Sequence, residues 1–182
     1  MDFLFIDFLN SEWRDGIHDD SYIDRLDDTK WMNELLTPWE LTINEGMTEE
    51  KIKRLKTLRA LLRKLVIDVT HNQQLTDNDV NQLNDYLYCS LFLQEIRNES
   101  GNLRLTEKPV NPDWNWVMAK IVESFAHLLS NHQIGRLKIC KNEKCGWVFF
   151  DVSKNRSRVW CYHSNCGNLM NVRKHRERKQ KK

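Results

Sequence analysis

The sequence contains no run of about 20 apolar residues, which is the length that a membrane-spanning helix needs. Its first 13 residues are apolar in places, but Asp2 and Asp7 interrupt them and no basic residue precedes them, unlike a signal peptide. We therefore expect no membrane helix and no secretion, and the predicted location is the cytoplasm.

The sequence also lacks the signatures of common enzyme classes. It has no glycine-rich phosphate-binding loop and no nucleophile elbow of the Gly-x-Ser-x-Gly type. Internal repeats and low-complexity tracts are absent too, apart from the basic end of the chain. These absences predict a protein that is not an enzyme and has no catalytic residues.

The composition is that of a folded chain: 40% of its 182 residues are hydrophobic and 30% are charged. This proportion supports a real hydrophobic core and argues against intrinsic disorder. The length fits one ordinary domain, or one domain with a small appendage.

The two signs of charge are sorted along the chain, although the net charge is only +2. Residues 1–135 hold 14 Lys and Arg against 23 Asp and Glu, whereas residues 136–182 hold 14 against 3. The chain is thus an acidic body of net charge −9 followed by a basic module of net charge +11. A basic module of this kind predicts a polyanionic partner, most often a nucleic acid.

Four of the five cysteines lie in the basic module, where Cys140, Cys145, Cys161 and Cys166 follow the pattern C-x4-C-x15-C-x4-C. Two such pairs supply the four sulfur atoms that tetrahedral Zn²⁺ accepts. We predict one structural Zn²⁺ held by these four residues. Two disulfides, an iron–sulfur centre, and His163 in place of one cysteine ligand are the alternatives.

The body is predicted to be mainly helical. Residues 3–10 form a short apolar run that fits either a strand or a helix. Further helices are expected after N-caps at Thr29, Thr48, Thr76 and Asn111, the last ending at Gly135, and alternation around residues 91–106 predicts a β-hairpin. The expected fold class is therefore α+β, mainly α.

The basic module is expected to contain a first cysteine knuckle, a β-hairpin, a second knuckle and a C-terminal helix, an arrangement like a treble clef or a zinc ribbon. We place the domain boundary between residues 135 and 136. A module this small cannot build an adequate apolar core, so the metal contributes much of its folding free energy. We accordingly expect its aromatic residues Trp147, Phe149, Phe150 and Trp160 to pack around the metal site.

The module resembles the CGNR-type zinc finger of bacterial regulators. The matching residues are Cys140, Cys145 to Asp151, Ser153, Asn155 to Arg158, Trp160, Cys161 and Cys166 to Asn168. The body resembles the ABATE domain that accompanies this finger, in residues 7–11, 26–31, 58–62 and 83–84. This resemblance implies a stress-induced transcription regulator whose finger binds DNA and whose body senses a small ligand.

The chain departs from the family at one position, because Leu169 stands where the family name predicts arginine after Cys166-Gly167-Asn168. If that arginine contacts nucleic acid in relatives, the contact is lost here or is supplied by Arg173, one helical turn further on. If it is a structural clamp, Leu169 implies local repacking.

The predicted nucleic-acid contacts are basic and amide side chains in the loop between the knuckles and in the C-terminal helix. They are Lys154, Asn155, Arg156, Arg158, Asn168, Arg173, Lys174, Arg176 and Arg178. Duplex DNA is the expected partner. Single-stranded RNA and an acidic protein docked by the basic module are the alternatives.

Two polar residues of the body, Asp7 and Asn10, are the candidates for lining a pocket for an unidentified small molecule, and core hydrogen bonding is the alternative role. A single small finger reads few base pairs, so a homodimer formed through the body would improve specificity.

Overall fold

The structure is a computed structural model that describes residues 3–18, 21–131 and 134–180. The acidic body holds helices α1 (Leu4–Leu9), α2 (Thr29–Leu36), α3 (Glu49–Thr70), α4 (Asp77–Tyr88) and α5 (Trp114–Ser130), with strands β1 (Glu12–Trp13), β2 (Ile23–Asp24), β3 (Phe92–Glu99) and β4 (Asn102–Pro109). The basic module holds β5 (Leu137–Ile139), β6 (Val148–Phe150), a π-helical turn (His163–Gly167) and α6 (Asn168–Gln180). The strands form three two-stranded antiparallel sheets, β1 with β2, β3 with β4 and β5 with β6. The predicted fold class, mainly helical α+β with a cysteine module, is confirmed.

Two of the four predicted N-caps are correct. The Thr48 hydroxyl accepts from the backbone N–H of Lys51 at the start of α3, and Thr76 and Asp79 form a reciprocal capping box at α4. The caps of α2 and α5 are instead Asp28 and Asp113, so the predictions of Thr29 and Asn111 were wrong. In both cases a carboxylate accepts a backbone N–H two or three residues ahead, which favours the aspartate as the cap.

The end of α5 also differs from the prediction. The helix stops at Ser130 rather than at Gly135, and the Asn131 side chain donates to the carbonyl oxygen of His127 over 2.7 Å. The backbone N–H of Asn131 donates to the same carbonyl, so this residue caps the end of the helix with both its main chain and its side chain. Gly135 belongs instead to a short 3₁₀ turn, Ile134–Arg136.

The apolar run at residues 3–10 is a helix, α1, at the centre of the core. Phe5, Phe8 and Leu9 are fully buried, and the rings of Phe5 and Phe125 lie 5.1 Å apart between centroids. Because α1 is buried nearly all round, its residues show no helical periodicity of apolar and polar side chains. The sequence alone therefore could not distinguish a helix from a strand here.

An ion pair fastens the β2 strand to α3. The guanidinium of Arg59 donates to both carboxylate oxygens of Asp24 over 2.7 Å, and the two side chains are only 5% and 9% exposed. Arg59 also donates to the hydroxyl of Ser11. The segment between α1 and α2 is therefore held against the long helix.

The β5–β6 hairpin of the basic module packs into the same hydrophobic core as the body. Leu137 and Val148 are buried in that core, and the ring of Phe150 packs against that of Phe3 of the body, with 5.1 Å between centroids. The division at residues 135 and 136 stays a prediction. A cut there would expose these apolar side chains.

In the part of the chain that the structure covers, every helix is too short or too polar to cross a bilayer.

Candidate metal centre and basic surface

The first knuckle is built on the turn that joins β5 to β6. The N–H of Cys140 donates to the carbonyl of Trp147, and the N–H of Cys145 donates to the carbonyl of Asn142, both over 2.8 Å. Gly146 follows with a φ of +66°, a left-handed conformation that glycine adopts without strain. These bonds aim the Cys140 and Cys145 side chains at one point.

The second pair of cysteines meets the first in the interior of the module. The Sγ atoms of Cys140, Cys145, Cys161 and Cys166 all lie within 4.8 Å of one another, and the four side chains are buried. Cys145 Sγ and Cys161 Sγ lie 3.6 Å apart. Tetrahedral Zn–S bonds of about 2.3 Å place sulfur atoms roughly 3.8 Å apart, so the cluster fits a zinc ion.

The electrostatics of the cluster are also compatible with a bound cation. Hydrogen bonds from Cys145 and Cys161 lower the pKa of the Cys140 thiol, whereas the same bond to Cys140 raises the pKa of Cys145. Four thiolates cannot all ionise at this spacing without a positive charge among them. The donor set is therefore consistent with one structural Zn²⁺, whose four positions the cysteines fill.

The geometry argues against one of the alternatives, a pair of disulfides. The four cysteines converge on one centre as a group, not as two separate pairs. The side chain of His163, the alternative ligand, lies outside the described part of the structure.

Asn142 links the metal centre to the body. Its Nδ2 atom donates to Cys166 Sγ over 3.4 Å and to the carbonyl oxygen of Gly16 over 2.9 Å. Gly16 has a φ of +75°, and a Cβ atom on it would lie 2.8 Å from Asn142 Nδ2. Neither residue stands out in the sequence, although partners of metal ligands commonly support a metal site in this way.

Two further contacts join the module to the body. Asn10 makes both of its side-chain hydrogen bonds with the backbone of Val148 on β6, each over 2.9 Å. Arg63 of α3 donates to the carbonyl oxygens of Gly146 and Leu9, over 2.7 and 2.8 Å. The metal knuckle is thus anchored on α1 and α3.

Asp7 and Asn10, the predicted ligand-pocket residues, both line a cleft of about 550 Å³ between the body and the module. Asp7 is exposed on α1, whereas Asn10 is buried with its carboxamide committed to Val148. Trp147, Phe149 and Arg158 of the module line the same cleft. The structure therefore gives Asn10 the hydrogen-bonding role that the sequence left as the alternative, while leaving it at the edge of the cleft.

A lysine organises the basic loop between the knuckles. Lys138 Nζ donates to Asp151 Oδ2 over 2.6 Å and also to the carbonyl oxygens of Arg156 and Arg158. Burial opposes ionisation of Asp151, but its bonds from Lys138, Ser153 and Arg158 prevail and hold its pKa below the usual range. The loop backbone is therefore tied to β5 and β6.

The predicted contact residues of the loop fall into two environments. Lys154, Asn155 and Arg156 are exposed, and Arg156 has a left-handed φ of +50°. Arg158 is half-buried: its Nε donates to the carbonyl of Trp160 and its guanidinium lies 4.6 Å from the centre of the Phe149 ring. Arg158 thus has structural contacts that the first three side chains lack.

The remaining predicted contacts lie on α6. Asn168, Lys174, Arg176 and Arg178 are exposed. Arg173 is half-buried against Met170, with its Nη1 3.7 Å from the thioether sulfur. Leu169, which stands at the arginine position of the family, is half-buried too.

Three of the four aromatic side chains that were predicted to pack around the metal site do so, and Phe150 does not. Phe149 is buried in the cysteine cluster, Trp147 and Trp160 pack against it, and Phe150 reaches the main core. The metal centre thus has its own small hydrophobic shell, separate from the core of the body.

These features define a zinc-binding protein: a compact four-cysteine centre carries a basic loop and a basic helix, and a helical body supports it. Comparison with protein families agrees, since residues 136–179 match the family model of the CGNR zinc finger. No curated protein matches the chain. The ABATE resemblance of the body stays a prediction.

Proposed function

We propose that this protein is a zinc-dependent DNA-binding transcription regulator. The observation that carries the proposal is the exposure of Lys154, Asn155, Arg156 and the basic residues of α6 on a module fastened by four cysteines. Exposed lysine and arginine side chains neutralise phosphates and release counterions, which drives binding to a polyanion.

The charge distribution of α6 favours a groove over a flat acidic surface. Its basic residues, Arg173, Lys174, Arg176, Arg178 and Lys179, occupy positions all around the helix at 100° per residue. A helix in the major groove of B-DNA has phosphates on both sides, so cations on several faces find partners. The deep, narrow major groove of an RNA duplex does not admit such a helix.

The packing of the aromatic residues also favours duplex DNA over single-stranded RNA. Trp147, Phe149 and Trp160 pack against the cysteine cluster. Single-strand recognition generally uses aromatic faces that are free to stack on bases. These three rings are engaged in the hydrophobic shell of the metal centre.

Competitive binding separates the possible partners. Zinc-loaded protein is titrated into labelled duplex DNA, and unlabelled duplex DNA, single-stranded RNA and an acidic polypeptide then compete for it. We expect duplex DNA to compete best. Stronger competition by RNA or by the polypeptide would favour an RNA-binding protein or a protein adaptor.

Paired variants locate the surface. Lys154→Ala combined with Arg156→Ala removes two charges from the loop, and Lys53→Ala combined with Arg54→Ala removes two exposed charges from α3. We expect the loop variant to lose at least about tenfold in affinity and to show a shallower salt dependence. Equal effects of the two pairs would mean that net charge alone governs binding.

A sensing role for the body is the second part of the proposal, favoured by the cleft between the body and the module. Its walls include Asp7 and Trp31 from the body and Arg158 from the module, so a bound molecule would contact both parts. A screen of small molecules by thermal shift tests this role. Compounds that stabilise the wild type but not Trp31→Ala would support it, and equal stabilisation of both proteins would place binding elsewhere.

A further inference from the structure

The β3–β4 hairpin, residues 92–109, projects from the body as an arm. Each strand has eight residues, and within the described ranges no third strand pairs with either. The base is fastened to α5, where Phe92 contacts Trp116 at 5.9 Å between ring centroids and Lys120 pairs with Glu107 over 2.8 Å. An isolated two-stranded hairpin is marginally stable in water, so the rest of the arm calls for a further packing partner.

One face of the arm is apolar and uncovered. The register places Ile96 directly opposite Leu105, with Leu103 two residues further along the same face of β4. Ile96, Leu103 and Leu105 are 70%, 71% and 66% exposed. Together with Phe92, which lies on the same face nearer to the body, they form a surface that we call the apolar arm face.

The size of this face matches what an interface needs. At about 150 Å² for each large apolar side chain, the exposed fractions of its four members amount to roughly 400 Å². A standard interface takes about 800 Å² from each partner, somewhat over half of it apolar. With its polar neighbours on the same face, the arm offers an area of this order, and apolar surface patches of about this size are often functional.

The charges of the arm lie almost entirely away from this face. Of its six charged side chains, only Glu107 lies on the apolar arm face, and it pairs with Lys120 of its own chain. The other five, Glu95, Arg97, Glu99, Arg104 and Lys108, lie on the opposite face of the hairpin. The apolar arm face therefore presents little charge that would attract a nucleic acid or a strongly charged protein. A second copy of the chain presents the same uncharged face, and two such faces can pack around a twofold axis.

We propose that the apolar arm face is the interface of a homodimer, in which the arms of two chains pack face to face with Ile96, Leu103 and Leu105 at the centre. The inference rests on the arm alone and does not depend on nucleic-acid binding by the module. In the dimer, each chain would bury against its partner the apolar surface that the arm of a single chain exposes to solvent.

The mass of the zinc-loaded full chain in solution tests the proposal, measured by sedimentation equilibrium between about 1 and 100 μM. We expect a monomer–dimer equilibrium within this range. A chain that is still monomeric at about 100 μM overturns the proposal and leaves the face to a different protein.

Two cross-strand pairs on opposite faces of the arm provide the variant and its control. Ile96→Thr with Leu105→Thr makes the apolar arm face polar, and Arg97→Thr with Arg104→Thr changes the directly opposed pair on the other face. Threonine is favourable in strands, so both variants retain the hairpin, which circular dichroism checks. We expect the first to raise the dimer dissociation constant about 100-fold or more and the second to change it only a few-fold. Equal effects of the two variants, or none, would overturn the proposed face.

Discussion

The side chain of Asn10 in the body pairs with the backbone of Val148 in the module as another strand would. Its Nδ2 donates to the Val148 carbonyl and its Oδ1 accepts from the Val148 N–H, both over 2.9 Å. Because Val148 begins β6, which leads out of the first cysteine knuckle, this one side chain ties α1 to the metal module. The basic module and the helical body therefore share specific polar contacts, and the β5–β6 hairpin of the module also belongs to the core of the body.

Replacing Asn10 with alanine should destabilise the protein by about 2–6 kcal/mol, because two buried backbone groups of Val148 lose their partners at about 1–3 kcal/mol each. Urea unfolding of zinc-loaded protein measures the change. The matched control is Asn33→Ala, at an exposed position on α2, which should cost less than about 0.5 kcal/mol. A loss for Asn10→Ala no larger than that of the control would show that the pairing contributes nothing to stability.

Removing the Asn142 carboxamide should weaken zinc binding. Asn142→Leu loses the hydrogen bond to Cys166 Sγ and the link to Gly16, and such supporting contacts are worth about 10–100-fold in metal affinity. Competition with a chromophoric chelator measures the affinity. Asn155→Ala, an exposed substitution in the basic loop, should leave it unchanged. Equal zinc affinities for Asn142→Leu and the wild type would contradict a supporting role.

Lys138, which holds the basic loop in place, should contribute more to duplex DNA binding than a single positive charge would. Lys138→Met and Lys141→Met each remove one charge, but only Lys138 holds Asp151 and the backbone of Arg156 and Arg158. We expect Lys138→Met to lower duplex DNA affinity about tenfold more than Lys141→Met, with zinc content unchanged. Identical affinities would mean that the loop does not need to be ordered by Lys138.

The Asp24–Arg59 pair predicts a defined pH dependence of stability. Burial raises the pKa of Asp24, but the hydrogen bonds and charge of Arg59 prevail and lower it from 3.8 to about 2. A carboxylate with a lowered pKa stabilises the fold above its unfolded pKa, and this contribution is lost as the pH falls from about 4 towards 2.

The Asp24→Asn variant isolates this contribution. It leaves the buried Arg59 without its anion and should cost about 3 kcal/mol near pH 7. The difference from the wild type in free energy of unfolding should shrink below about pH 4, and zinc loss in acid largely cancels because it affects both proteins. A difference that stays constant to pH 2 would contradict the lowered pKa.

The metal ligands could be predicted from the sequence because their signal is local: two cysteine pairs at matched spacing specify a tetrahedral site whatever the rest of the chain does. The long helix α3 and the capping box of α4 are likewise local patterns. The roles of Asn10, Gly16 and Asn142 could not be predicted, because each depends on a partner more than 100 residues away. Lys138 looked like one more surface charge, and only the fold shows that Asp151 and the loop carbonyls surround it.

The most direct test of the central claim, that a zinc-ordered basic surface binds duplex DNA, is a titration of labelled duplex with zinc-loaded wild type and with Cys161→Ser. It is run at roughly 50 and 200 mM salt. We predict binding by the wild type that weakens steeply between the two salt concentrations, and little or no binding by the variant at either. Equal binding by Cys161→Ser and the wild type, or no binding by the wild type at the lower salt concentration, would contradict the account.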